Sequence, residues 1–355
     1  MKQIEEGFTK RKLVDVEMAY AVQRVSIDNQ EHVIASPEER GAMYLLRAPD
    51  WDVSVLTDGP GGTMSIVGVD SQRVLAIMGC FPGYNFHDAG IYLMERKGRA
   101  LGEPWDRTKV LDLPFAHRIE QIRHRGKQWL VAASLAESKD NPDDWSRPGT
   151  VYAGEIPAPG ADGWQLKPVL EKLHKNHGMF KGQLDGNEIF VITGTEAAYL
   201  YDLRDENSDL WSPRTLFDYE ISEICTVDLD GDGRDELVTI EPFHGNLMRV
   251  YRRGGRSGAG DTFEVIAEEE LAFGHGLWCG AFNGAPSILV GNRRGDFTLK
   301  LYRATDGDAS RLVETVIDRD SGPANIAVVP RPAGDIVFTT NQNSKEIALY
   351  ESNLA

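Results

Sequence analysis

The sequence predicts an all-β fold, a single seven-bladed β-propeller of four-stranded blades over residues 1–355, and three observations predict it. Tyrosine recurs at an interval near fifty residues. A short run rich in β-branched residues precedes each of those tyrosines. No stretch carries helical periodicity of useful length.

A fixed interval is the signature of a repeat architecture. Tyr44, Tyr92, Tyr152, Tyr201, Tyr251, Tyr302 and Tyr350 each follow an apolar residue, at spacings of 48, 60, 49, 50, 51 and 48. The runs HVIAS, VLAIM, WLVAAS, IFVITG, ELVTI, ILVGN and IVFTTN precede them, bounded by Gly, Asn or Ser as buried strands are. Most tyrosines are followed by another strand, often opened by Trp51, Trp105, Trp164 or Trp211, and a further short strand such as HRIEQI precedes each run. Each unit is therefore four strands, A to D. One unit cannot bury both faces, so seven must close into a ring. The expected blades span roughly 20–57, 62–113, 116–171, 176–218, 221–268, 274–317 and 323–351. The last supplies only three strands, so KLVDV at 12–16 is expected to complete it and join the two chain ends.

Composition bounds the function. The net charge of −17 repels phosphate backbones and argues against nucleic acid as a partner. The N-terminus has no apolar leader and no segment is long enough to span a membrane, so a soluble, cytoplasmic protein is expected. Cys80, Cys225 and Cys279 each lie in an apolar run and read as buried thiols rather than a disulfide framework.

The stretch VDLDGDGRDELV places Asp228, Asp230 and Asp232 two residues apart, with Gly233 for a sharp turn and Glu236 beyond. Hard cations take several oxygens at once, and these carboxylates with the Arg234 carbonyl suit structural Ca2+. Strands EICTV and ELVTI flank the loop, which makes it an A–B hairpin of the fifth blade. Over roughly 221–251 it resembles the FG-GAP or VCBS repeat. A–B turns lie on one propeller face, whereas function gathers where the D–A and B–C loops converge on the other. The calcium loop is read as a fastening.

Counting back from the B-strand anchors to the start of each strand A brings His117, His177, Glu223 and His275 to equivalent positions in four consecutive blades, with Asn325 near the same place in the seventh. Residues at one level of a ring converge on the channel mouth. Three imidazoles and a carboxylate suit a second divalent metal such as Zn2+, Mn2+ or Mg2+. The B–C loops on the same face offer Tyr84, His87, Trp145, Arg147, His244, Asn292, Arg293 and Asn341 to Asn343, a mixture suited to a polyhydroxylated ligand.

The calcium blade with the HRIE and GHG strand starts looks like the propeller portion of aldos-2-ulose dehydratase and is similar to propeller polysaccharide lyases. The resemblance implies a metal-dependent carbohydrate lyase or dehydratase, catalysing β-elimination on a keto-sugar or related small sugar derivative. On that expectation His117, His177, His275 and Glu223 hold the metal. Tyr84, His87 and His244 are the candidate base and acid, and Arg118 and Arg147 orient the sugar. Two other classes stay open: a non-catalytic interaction scaffold with a protein partner, and a sugar or lactone hydrolase.

Overall fold

The computed structural model describes residues 2–3, 7–83, 86–204, 209–257 and 260–352, and arranges them as seven antiparallel sheets. Six sheets are consecutive four-stranded meanders. The seventh takes three strands from the C-terminal unit, Pro323–Val329, Ile336–Asn341 and Glu346–Ser352. Its fourth strand is N-terminal, Phe8–Asp15, with the two-residue Lys2–Gln3 outside it. The closing strand is therefore longer than KLVDV and begins four residues earlier.

The A strands are Ala19–Ile27, Ser65–Asp70, Ala116–His124, Met179–Leu184, Glu223–Val227, Gly274–Phe282 and Pro323–Val329. Each contacts the A strands of the blades on either side, and that of blade 7 contacts that of blade 1, so the ring is closed. The hydrophobic signal that revealed the B strands has a plain cause. Arg73–Met78, Glu236–Glu241 and Ile336–Asn341 are buried at every residue, because neighbouring blades cover both faces. The D strands face solvent and expose Val53, Val55, Val265 and Val313. The core therefore lies between blades. One cluster joins Val22, Val33 and Leu46 of blade 1 to Ala327, Phe338 and Leu349 of blade 7.

One expectation is corrected here. Cys225 and Cys279 are joined as a disulfide with their Cα atoms 6.0 Å apart, while Cys80 stays a buried free thiol. Their separation of 54 residues is close to one repeat, which sets them side by side on the A strands of blades 5 and 6. Reading each cysteine singly within its own apolar run hid that pairing.

Candidate functional site

A local backbone feature builds the centre of the mouth. In blades 1, 3 and 6 the A–B ladder shifts register between Ala19 and Ala21, between Ala116 and Arg118, and between Gly274 and Gly276. Tyr20, His117 and His275 are the extra residues of these irregularities, and a bulge re-aims the side chain it carries. His177 sits just before strand A of blade 4, where the Thr193 amide donates to the Gly178 carbonyl and the Gly178 amide donates to the Thr193 hydroxyl. A Cβ on Gly178 would stand 2.4 Å from the Thr193 hydroxyl and 2.5 Å from the Ser222 carbonyl, so glycine permits blades 4 and 5 to approach beside the histidine. His244 comes from the B–C loop of blade 5 and holds a left-handed φ of 50°, a conformation that costs an L residue of order 1–3 kcal/mol where the surroundings impose it.

These side chains meet. The ring centroid of His177 lies 4.7 Å from that of His117, 4.8 Å from that of His244 and 4.9 Å from that of His275. Nε2 of His177 and Nε2 of His244 are 3.3 Å apart. The Tyr20 hydroxyl lies 3.2 Å from Nε2 of His117 and 3.3 Å from Nε2 of His275. His117, His177, His275 and Tyr20 are buried, and His244 is half-buried.

Second contacts orient the rings. Nδ1 of His275 lies 2.5 Å from the Ala324 carbonyl, which fixes the proton there and turns Nε2 inward. Nδ1 of His177 lies 2.5 Å from Oε1 of Glu223, at an angle short of a hydrogen bond. Arg118 donates through Nη2 to the same carboxylate oxygen at 2.5 Å and through Nε to the His177 carbonyl at 2.5 Å. Burial, then the charge of Arg118, holds His117 and His177 well below the usual imidazole range. Burial, then Arg293, does the same to His275, and brings His244 down to about 3. These shifts favour the neutral form of all four rings. Burial pushes the Glu223 carboxyl up to about 7 against the opposing pull of Arg118.

The cluster separates two spaces. Above it is a mouth pocket of about 330 Å³ lined by Tyr20, His117, His244, Phe273, Arg293 and Arg294, among others. Below it is the channel, about 600 Å³, lined by Arg118, Glu223 and His275.

The expected residues are therefore distributed as follows. His117, His177, His244 and His275 come together. Glu223 touches His177 but faces the channel, because Ser222 takes the place that the histidines occupy in their blades; Asn325 is likewise one residue beyond Ala324, the bulge residue of blade 7. Arg118 is engaged by Glu223, and Arg147 is bound by Asp140 and Asp144 in its own loop. His87 is exposed and packs edge-on against Phe115, outside the residues lining the mouth pocket. Tyr84 lies outside the described residues. In the A–B loop of blade 5, Asp228, Asp230 and Glu236 bring carboxylate oxygens within 4.8 Å of one another. Asp232 is not in that group: its Oδ1 accepts from the Arg234 amide at 2.8 Å. Arg252 reaches in, with Nη2 donating to Asp230 and Nε 3.4 Å from Glu236.

Tyr20 escaped sequence reasoning. Its signal was present, since AYAVQ in blade 1 repeats AHRIE in blade 3, but tyrosine does not announce itself in a search for histidines.

No family model matches the chain, and no curated protein matches it. Solved structures do. The Cps50 (Swd1) β-propeller domain of Myceliophteria thermophila aligns with a TM-score of 0.59 at 10% identity, over 97% of this chain and 99% of that one. A functionally unknown protein from Desulfotomaculum acetoxidans DSM 771 gives 0.54 at 11% identity, over 85% and 86%. The Dos1 propeller gives 0.52 at 10% identity, over 90% and 75%. At such identity the likeness concerns the fold alone, and none of the three bears on calcium repeats or sugar lyases. The chain is an all-β seven-bladed propeller with four-stranded antiparallel blades closed by its N-terminal strand.

Proposed function

We propose that the chain is a metal-dependent enzyme acting on a small sugar derivative in the mouth pocket, of the lyase class that eliminates a β-substituent next to a carbonyl or carboxylate. The observation that carries the reading is the meeting of His177, His244 and His275, whose ring nitrogens lie within 4.8 Å of one another. Two nitrogens bound to one tetrahedral ion at about 2.0–2.1 Å sit about 3.3–3.4 Å apart, and Nε2 of His177 and His244 are 3.3 Å apart. Three neutral imidazoles, one of them fixed by a backbone carbonyl, suit a borderline ion such as Zn2+ or Mn2+ better than Mg2+, which prefers oxygen. Such an ion, when bound, polarises a carbonyl or carboxylate and makes the neighbouring C–H acidic.

The other groups supply proton handling. His117 takes the proton α to the carbonyl at Nε2, and the C–O bond at the β-carbon breaks as the double bond forms. The leaving oxygen takes the Tyr20 hydroxyl proton. The 3.2 Å contact between Tyr20 and Nε2 of His117 then returns the first proton to the phenolate. Elemental analysis of the purified protein before and after chelation, paired with a search for unsaturated products from keto-sugars and sugar acids, tests the reading. Full turnover in metal-free protein would remove it.

The loop at Asp228, Asp230 and Glu236 is read as a structural Ca2+ site, since three clustered carboxylates fit a hard cation. Arg252 is its built-in competitor. A second reading of the mouth is a surface for a protein partner, since a propeller fold alone does not decide between enzyme and scaffold. A mouth that binds neither metal nor sugar would favour it.

A further inference from the structure

We infer that the mouth pocket selects a sugar bearing a carboxylate, such as a uronate, through Arg293 and Arg294; this rests on the proposed reading of the same site and names its substrate class. The chain carries a net charge of −17, yet the charged lining of this pocket is two arginines against one acid, Glu38. Neither guanidinium forms an ion pair with a described residue. Arg293 donates instead to the side-chain oxygen of Gln342, and Nε2 of Gln342 donates to Glu38 at 3.0 Å. The amide stands between the acid and the arginine, so the two make no direct ion pair.

Both arginines are held in place. The Arg293 amide donates to the Phe273 carbonyl at 3.0 Å and the Arg294 amide to the Ala272 carbonyl at 3.1 Å. Their guanidinium carbons lie 5.4 and 4.7 Å from the Phe273 ring centre, which orients the planar forks. A fork of this kind matches a carboxylate through two parallel hydrogen bonds. Phe243 and Phe273 flank His244 at the cluster, with ring centres 3.9 and 4.7 Å from the imidazole, so a sugar face resting on them lies against the histidines. Arg118 is paired with Glu223 and Arg147 with Asp140 and Asp144, and neither lines the mouth pocket, whose two cations are Arg293 and Arg294.

Isothermal titration with D-glucuronate, D-glucose and D-glucose 6-phosphate tests the inference, on the protein as purified and after chelation. Glucuronate is expected to bind more tightly than the other two in both preparations. Arg293→Gln and, separately, the exposed Arg294→Gln are expected to weaken glucuronate about tenfold or more, the worth of a charge-assisted bond, while leaving glucose unchanged. Equal affinity for glucuronate and glucose overturns the inference, as does tighter binding of the phosphate. Loss of the glucuronate preference on chelation also overturns it, because the metal rather than the arginines would then hold the acid. The preference surviving in a protein that never binds metal supports it while refuting the lyase reading, so the two fail separately.

Discussion

The closing strand brings one nearly buried cation to two acids of neighbouring blades. Lys10, on the N-terminal strand, places Nζ 2.7 Å from Asp318 at the end of blade 6 and 2.5 Å from Glu346 in blade 7. Its side chain is 13% exposed and each acid 7%. Tyr350 and Ser344 donate to the same two carboxylates at 2.8 and 2.7 Å, but they carry no charge. Lys10→Met keeps the length of the side chain and leaves two nearly buried carboxylates without their cation. Breaking a buried pair from one side costs about 3–5 kcal/mol, and the residual exposure of Lys10 places the expected loss near the lower figure, about 3 kcal/mol. That is a large part of the roughly 5–15 kcal/mol a folded domain holds in reserve. Adding Asp318→Asn and Glu346→Gln removes the stranded charges and is expected to restore most of the loss. Urea unfolding of the three proteins measures this, with the slope against denaturant checking that the transition is unchanged in kind. A loss below about 1 kcal/mol for Lys10→Met, or a triple variant no more stable than the single, would refute the ionic latch.

Gly178→Ala forces a methyl group onto Thr193 and the Ser222 carbonyl and is expected to destabilise by about 1–3 kcal/mol; an unshifted thermal midpoint would contradict the close approach. Phe8→Ala empties a fully buried site in the cluster with Phe282 and Tyr350, at an expected cost of about 3–5 kcal/mol in urea unfolding. His275→Ala is expected to abolish retention of a transition metal by elemental analysis while the circular dichroism of the sheets is kept, and unchanged metal content would count against the site. Arg252→Ala frees Asp230 and Glu236 and should tighten Ca2+ binding by about tenfold in a titration; unaltered affinity would mean that the loop does not take the ion through those oxygens.

The fold was legible because a propeller writes its period into the sequence. Each B strand is covered on both faces, so each reads as an unbroken apolar run, and the tyrosine on strand C marks the count. The closing strand was visible only as a deficit, one strand missing at the C-terminus, and its true start at Phe8 lay hidden because Thr9, Lys10 and Arg11 look like surface. Histidines at equivalent positions could be found by counting from the B strands. Counting could not detect that blades 5 and 7 are offset by one residue at this point, which is why Glu223 and Asn325 seemed level with the rings. Tyr20 and Arg294 were missed for a different reason. Tyr20 meets residues 97 and 255 positions away in sequence, His117 and His275, and Arg294 is singled out only by the pocket it lines beside Phe273, so neither carries a local sign of its place.

X-ray absorption spectroscopy on zinc-loaded protein tests the metal centre most directly. One ion per chain is expected, with imidazole nitrogens at about 2.0–2.1 Å, and that shell is lost in His177→Ala. A protein that retains no ion, or an ion surrounded by oxygen alone in the wild-type chain, would contradict it.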